Sequence, residues 1–171
     1  IAGLAKVGPI RSQADSVMGV IRSARTAVHL VTLLEEMPVQ ETVDGFSELA
    51  AADLPLGGVF VNMVRVPVLS PEALAEAADG TLDTTELQRG LVDAGLGSPT
   101  GKRSGRVKAW ADALAAEAAE HAARVALEHQ ERETLETTKR PIIELPYLAG
   151  GIDTGSLYHL AAVLAANGVG R

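Results

Sequence analysis

TAVHLVTLLEEMPVQET, residues 26–42, begins as a run of branched apolar residues and ends as a polar segment with helical spacing. A short apolar run bounded by charge has the composition of a strand buried on both faces of a parallel sheet, and the pattern predicts that strand over 26–34. Pro38 then predicts the opening of a helix whose apolar side carries Val39, Thr42 with Val43, Phe46, and Leu49 with Ala50. Pro55, Gly57 and Gly58 predict its end, and a second buried strand is expected over 59–64. Two strands joined through one helix are expected to lie parallel in one sheet, through a right-handed crossover.

Upstream of this unit, Ile10, Ala14, Val17 with Met18, and Ile21 recur at helical spacing and predict a helix over 10–23. The chain begins at Ile1 without an initiator Met, inside what reads as a helical approach through Leu4 and Val7, so the natural product is expected to extend upstream. Downstream, Pro67 and Pro71 close the second strand, and short helices are expected over 72–78 and 84–94. Residues 95–106, GLGSPTGKRSGR, are the most loop-like stretch. A long helix follows over 107–137, striped by Val107, Trp110 with Ala111, Leu114, Ala118, Ala122 and Val125. A third strand is expected over 141–145 and a closing helix over 154–166, with Leu157, Leu160 and Leu164 inward and Asn167-Gly168 as its stop signal. Alternation of strand and helix argues an α/β fold.

Composition narrows the chemistry. With 171 residues, 47% apolar and only 3% aromatic, the chain has one domain's length and a core of Ala, Val, Leu and Ile. A net charge of −7 gives no basic face for a phosphate backbone, so no nucleic-acid partner is expected. No apolar run reaches the length of a membrane span and no signal peptide is visible, so a cytoplasmic location is expected. The absence of cysteine and the scatter of His29, His121, His129 and His159 predict no disulfide and no metal site.

Three segments carry the candidate chemistry. Glu35 and Glu36 join the first strand to the following helix, at the edge where ligands gather in parallel sheets; they also suit a role as complements to that helix's partial positive charge. VFVNMVRVP, residues 59–67, sets Asn62 in an apolar run. A buried amide without partners costs roughly 2 kcal/mol or more, so either a ligand or a neighbouring backbone group must satisfy it. Its donor and acceptor complement the N6 and N7 edge of adenine. ELPYLAGGIDTG, residues 144–155, can cover a flat ligand with Pro146, Tyr147 and Leu148 while Gly150 and Gly151 let the loop approach; an ordinary strand-to-helix turn uses the same residues. GSPTGKRS, residues 97–104, imitates a phosphate loop, but only three residues separate its glycines where four are required and Arg103 follows Lys102, so it reads as a solvated cationic linker. His121 and His129, eight apart on the long helix, have only Val125 between them at ligand spacing and read as solvent-facing or helix-packing residues. No G-x-G-x-x-G follows a strand, which argues against a Rossmann-type cofactor domain.

Taken in order, these segments resemble the arsenite-pump and tail-anchored-protein-targeting ATPases of the deviant P-loop class, most closely the actinobacterial type. Val31, Thr32, Glu35, Glu41 and Thr42 stand at that family's spacing; Asn62 matches its adenine-reading Asn; Pro146, Ala149, Gly150 and Ile152 match its adenine loop. The resemblance covers residues 26–166. It implies a partial P-loop NTPase fold, three-layered with mainly parallel strands, a long helix and a helical insertion. In that reading 1–171 is the carboxy-terminal part of one ATPase domain, with sheet core at 26–66 and 139–167 and the insertion and long helix at 67–138.

The implied function is an ATP-driven molecular switch that binds ATP and ADP with Mg²⁺ and works as a homo- or heterodimer with a related subunit, with a membrane-protein client as one option. Asn62, Met63, Pro146, Tyr147 and Leu148 would contact the nucleotide; Glu35 would meet the ribose or a lysine of the partner subunit. The departures are equally specific. The Gly-Lys-Gly-Gly-Val-Gly-Lys-Thr loop and the switch Asp are absent, so the Mg²⁺ ligands and catalytic residues are expected upstream and this chain alone is expected to be inactive. Gly151 and Asp153 replace the Glu and Arg of the adenine loop; no Cys-x-x-Cys zinc clasp exists; and three methionines do not make a Met-rich groove, which argues against tail-anchor targeting. The competing reading is a non-hydrolysing interaction module or the degenerate subunit of a heterodimer.

Overall fold

The computed structural model describes residues 9–98 and 104–169. Its elements run α1 (Pro9–Ile21), β1 (Val28–Thr32), α2 (Glu36–Ala51), β2 (Leu56–Val64), α3 (Pro71–Asp79), α4 (Thr84–Asp93), α5 (Ser104–Glu136), β3 (Ile142–Pro146) and α6 (Thr154–Ala166). The fold is α/β, with three parallel strands in the order β1-β2-β3, consistent with part of a P-loop NTPase-like three-layer fold. Leu4, Val7 and the centre of the glycine-rich linker, 99–103, lie outside the described residues.

Two compact units divide the chain: one carries the sheet, from the residues up to Arg65 and from Gln130 onward; the other is Val66–His129. In the sheet unit, register aligns Leu30 with Val59 and Ile142, and Thr32 with Val61 and Glu144, along one face. That face forms the core. Leu34, Val39, Phe46, Val59, Val61 and Leu135 are buried together, with Leu30, Leu49, Leu56, Val64 and Ile142 packed against them. The last turns of α5 thus share a core with α2, although their sequence is largely polar; Arg132 pairs with Glu144 of β3 at 2.5 Å.

The opposite face corrects the expectation that the first strand is buried on both sides. Val31 is 67% exposed and His29 is exposed, whereas Ile143 in β3 is buried. Cover therefore fades from β3 toward β1, whose outer edge has no neighbouring strand among the described residues.

Two further expectations change. The first concerns α2, which starts at Glu36 rather than Pro38, with Glu35 as the extended N-cap residue; Pro38 sits in the first turn, where no N–H is needed for the helical ladder. The second concerns Gly57 and Gly58, which lie inside β2 instead of before it. A Cβ at Gly57 would fall 2.7 Å from the His29 ring and one at Gly58 2.7 Å from the Pro141 carbonyl oxygen, so both glycines permit close strand approach. This amino-terminal rim is knitted by side chains: the Gly58 N–H donates to His29 Nδ1 at 2.9 Å, and Arg140 donates to the carbonyls of Gly57 (2.8 Å) and Leu56.

The terminal helices form as expected but bury little. Ile10 and Val17 in α1 are 71% and 53% exposed, and α6 has no buried residue, with Leu157 exposed rather than inward. In the second unit, Ser70 caps α3 and Asp83 caps α4, accepting from the Thr85 and Glu86 N–H groups. Along α5, Val107, Ala111 and Ala122 are buried as striped, while Trp110 and Leu114 are each 41% exposed. His121 is engaged within this unit, its Nε2 accepting from the Val68 N–H at 3.3 Å.

Candidate functional site

Parallel strands all end on one rim, so β1, β2 and β3 deliver their carboxyl ends side by side. β2 ends irregularly. Its pairing with β3 is regular through Val61–Glu144, then skips to Val64–Pro146, leaving Asn62 and Met63 in a bulge. Met63 adopts φ 59°, a left-handed conformation that a long side chain seldom takes, and bulges of this kind turn side chains out of the regular alternation. Asn62 is consequently exposed, and among the described residues its amide has no hydrogen-bond partner. The sequence argument that a buried amide must find a partner does not apply: the bulge places the amide in solvent, with all its donors and acceptors available.

The next residues fasten the two strand ends together. The Tyr147 N–H donates to the Val64 carbonyl at 2.8 Å, continuing the ladder past Pro146. Beside it, the Arg65 guanidinium lies over the Tyr147 ring, 4.4 Å from its centroid. Tyr147 remains 41% exposed, Pro146 and Leu148 are half-buried, and Gly151, at φ 80°, turns the chain by donating to the Leu148 carbonyl at 3.1 Å. A non-glycine residue at Gly151 would be strained there.

Asp153 then ends the loop. Its carboxylate accepts from the Ser156 N–H at 2.7 Å while the Ser156 hydroxyl accepts from the Asp153 N–H at 2.7 Å, a reciprocal cap on α6. The Ser156 backbone N–H, and after it the Ser156 side chain, hold the Asp153 carboxyl below its ordinary pKa. The Asp153 side chain is therefore occupied in starting a helix.

Asn62, Met63, Pro146, Tyr147 and Leu148 thus share two neighbouring strand ends. Glu35 stands one strand over, just past the end of β1 at the same rim, exposed and with no side-chain bond to the start of α2. No hydrogen bond or ion pair joins its side chain to the others among the described residues. Glu36 occupies the first turn of α2, and Thr42, the last residue of the quoted motif, is buried with its hydroxyl donating to the Pro38 carbonyl at 2.7 Å. Arg65 was not singled out from the sequence; the available signal was a cation directly after an apolar strand. Chemically, the rim offers one amide with free donors and acceptors, one ring backed by a cation, and a glycine turn. It offers no nucleophile–base pair. No group of three or more His, Asp or Glu that could hold a metal ion occurs among the described residues.

No protein-family model matches the chain. Among curated proteins it is 39% identical over 169 residues to one named ATPase BagA in Mycobacterium tuberculosis, and equally to one named "Putative ATPase Mb3704" in Mycobacterium bovis. Each alignment takes in 99% of this chain and 47% of the relative, so the chain spans about half the length of the curated relatives it matches. The likeness is thus to proteins named as ATPases. No helix among the described residues is long and apolar enough to cross a membrane.

Proposed function

We propose that this chain is the carboxy-terminal portion of an ATP-binding and hydrolysing molecular switch of the arsenite-pump type, and that it supplies the part of the site that reads adenine. The observation that carries the reading is the bulged end of β2, which holds the Asn62 amide free of partners in the strand position next to the Pro146–Tyr147 turn. A purine lying along this rim would meet the amide at its hydrogen-bonding edge and the Pro146, Tyr147 and Leu148 side chains at its face. ATPase-named relatives of about twice the length support the same reading, because they leave room for a phosphate-binding half.

In this reading the roles divide by position. Asn62 reads the base, Met63 holds the bulge that aims it, and Glu35 faces the ribose or a lysine of a second subunit. Mg²⁺ and the phosphates would be held by residues beyond this chain, and no chemical step is assigned to the side chains described here. The parent would act in the cytoplasm as a homodimer or as a heterodimer with a related subunit. Its client, whether a membrane protein or another cargo, would engage elsewhere.

The test is nucleotide binding by the longer protein that carries this chain. Asn62→Ala should weaken ATP roughly tenfold, as expected for losing hydrogen bonds at a base edge, and should narrow the preference for ATP over GTP. Equal affinities before and after the substitution would remove the base-reading claim. A second reading, a non-hydrolysing interaction module, draws on the exposed Val66, Val68 and Trp110 of the other unit. It would be favoured if the longer protein bound a partner but turned over no ATP.

A further inference from the structure

Arg65 is the unassigned group on the rim. It follows β2 directly, and among the described residues its guanidinium makes no hydrogen bond or ion pair; it lies over the Tyr147 ring, 4.4 Å from guanidinium carbon to centroid. The backbone beneath is fixed, because the Tyr147 N–H is bonded to the carbonyl of Val64, the residue just before Arg65. The two side chains therefore rise from adjacent, hydrogen-bonded backbone and meet above it.

A tyrosine at the mouth of a loop can swing about two side-chain torsions, and a freely swinging ring is a poor wall for a flat ligand. A guanidinium laid on one face removes much of that freedom and leaves the opposite face for stacking. Arg65 is exposed, so the cation keeps its hydration while it lies over the ring. Asn62 lies on the same strand end, three residues before Arg65. The bulge between them takes up the change of direction that lets one strand present both an amide and a cation at the rim.

We infer that Arg65 is a positioning residue for the base slot: it holds the Tyr147 ring as a fixed wall against which a purine stacks, and it acts through that ring rather than on the phosphates. The inference rests on the reading that this rim binds a nucleotide. It goes further by assigning Arg65 a role and by predicting that its effect is independent of phosphate number.

Affinities of the longer protein for ATP and AMP, measured by calorimetry, decide the matter. Arg65→Ala should weaken both nucleotides by the same factor, roughly two- to fivefold, the size of an exposed cation–π contact. Arg65→Lys, which keeps a cation over the ring, should recover most of the loss. In a Tyr147→Ala background, Arg65→Ala should add nothing further. A larger loss for ATP than for AMP, persisting without the Tyr147 ring, would mean that Arg65 meets phosphate directly and would overturn the inference. So would an Arg65→Ala protein that binds like the wild type while Asn62→Ala and Tyr147→Ala bind weakly, and in that case the nucleotide-rim reading would survive. If Asn62→Ala and Tyr147→Ala both leave binding unchanged, the rim reading itself fails and the role of Arg65 falls with it.

Discussion

Met63 holds the least favourable backbone conformation on the candidate site. At φ 59° its Cβ crowds the following carbonyl, a strain of about 1–2 kcal/mol for a residue other than glycine, and its side chain, 47% exposed, recovers little by packing. Glycine would adopt the same conformation without that crowding, at some cost in unfolded-state entropy. Met63→Gly is therefore expected to raise stability by about 0.5–1 kcal/mol in urea unfolding, and to weaken nucleotide binding by the longer protein because a looser bulge aims Asn62 less well. A stability loss would show that the bulge is not strained. Nothing in the apolar run of 59–64 announced this bulge: every residue but Asn62 suits a regular strand, and the irregularity arises where β2 and β3 must fit each other. The candidate side chains could be named from their types, but the exposure of Asn62 could not, since local sequence predicted the opposite.

At the scale of elements, α6 was legible almost to the residue. The expected span 154–166 is the observed one, because an Asp N-cap at one end and Asn-Gly at the other are local signals that need no distant partner. Asp153 also sets a pH dependence. Its carboxyl is held below the usual aspartate value of 3.8 by the Ser156 backbone bond and then by the Ser156 hydroxyl, so the charged form is favoured by folding. Its contribution is complete above the unfolded pKa and is lost as pH falls through the lower, folded value. Asp153→Asn can still accept the Ser156 N–H bond but cannot titrate. Helicity followed by circular dichroism should accordingly fall less steeply on the acid limb below about pH 4 in the variant than in the wild type. Parallel acid limbs would show that the Asp153 cap contributes nothing to the pH response. The start of α2 was read less well: a proline suggested the first helical residue, yet the helix begins two residues earlier, since proline is tolerated anywhere in the first turn.

For the molecule as a whole, the uneven cover of the sheet carries the consequence. Parallel sheets are found with both faces packed, and here Val31 in β1 faces solvent while α1 and α6 leave large apolar side chains open. The relatives are about twice as long, and in a protein of that length, as proposed for this chain, the additional half is expected to cover this face. Val31→Asp is then expected to change the stability of this chain by less than about 0.5 kcal/mol, as an exposed substitution does. In the longer protein the same change should cost about 2 kcal/mol or more, by burying a carboxylate. Thermal or urea melts of both proteins check the contrast; equal, small effects would mean that the face stays open in the longer protein.

The order of strands and helices, their parallel pairing and the residue types gathered at the carboxyl rim were determined by sequence alone, because periodicity, caps and crossover chirality act over a few turns of chain. Tertiary structure decided the bulge that exposes Asn62, the stacking of Arg65 on Tyr147, the close approach at Gly57 and Gly58, and the openness of the sheet at Val31. Each depends on strands or helices distant in the chain, whose fit fixes register, exposure and contact, and no local pattern of residue types records that fit.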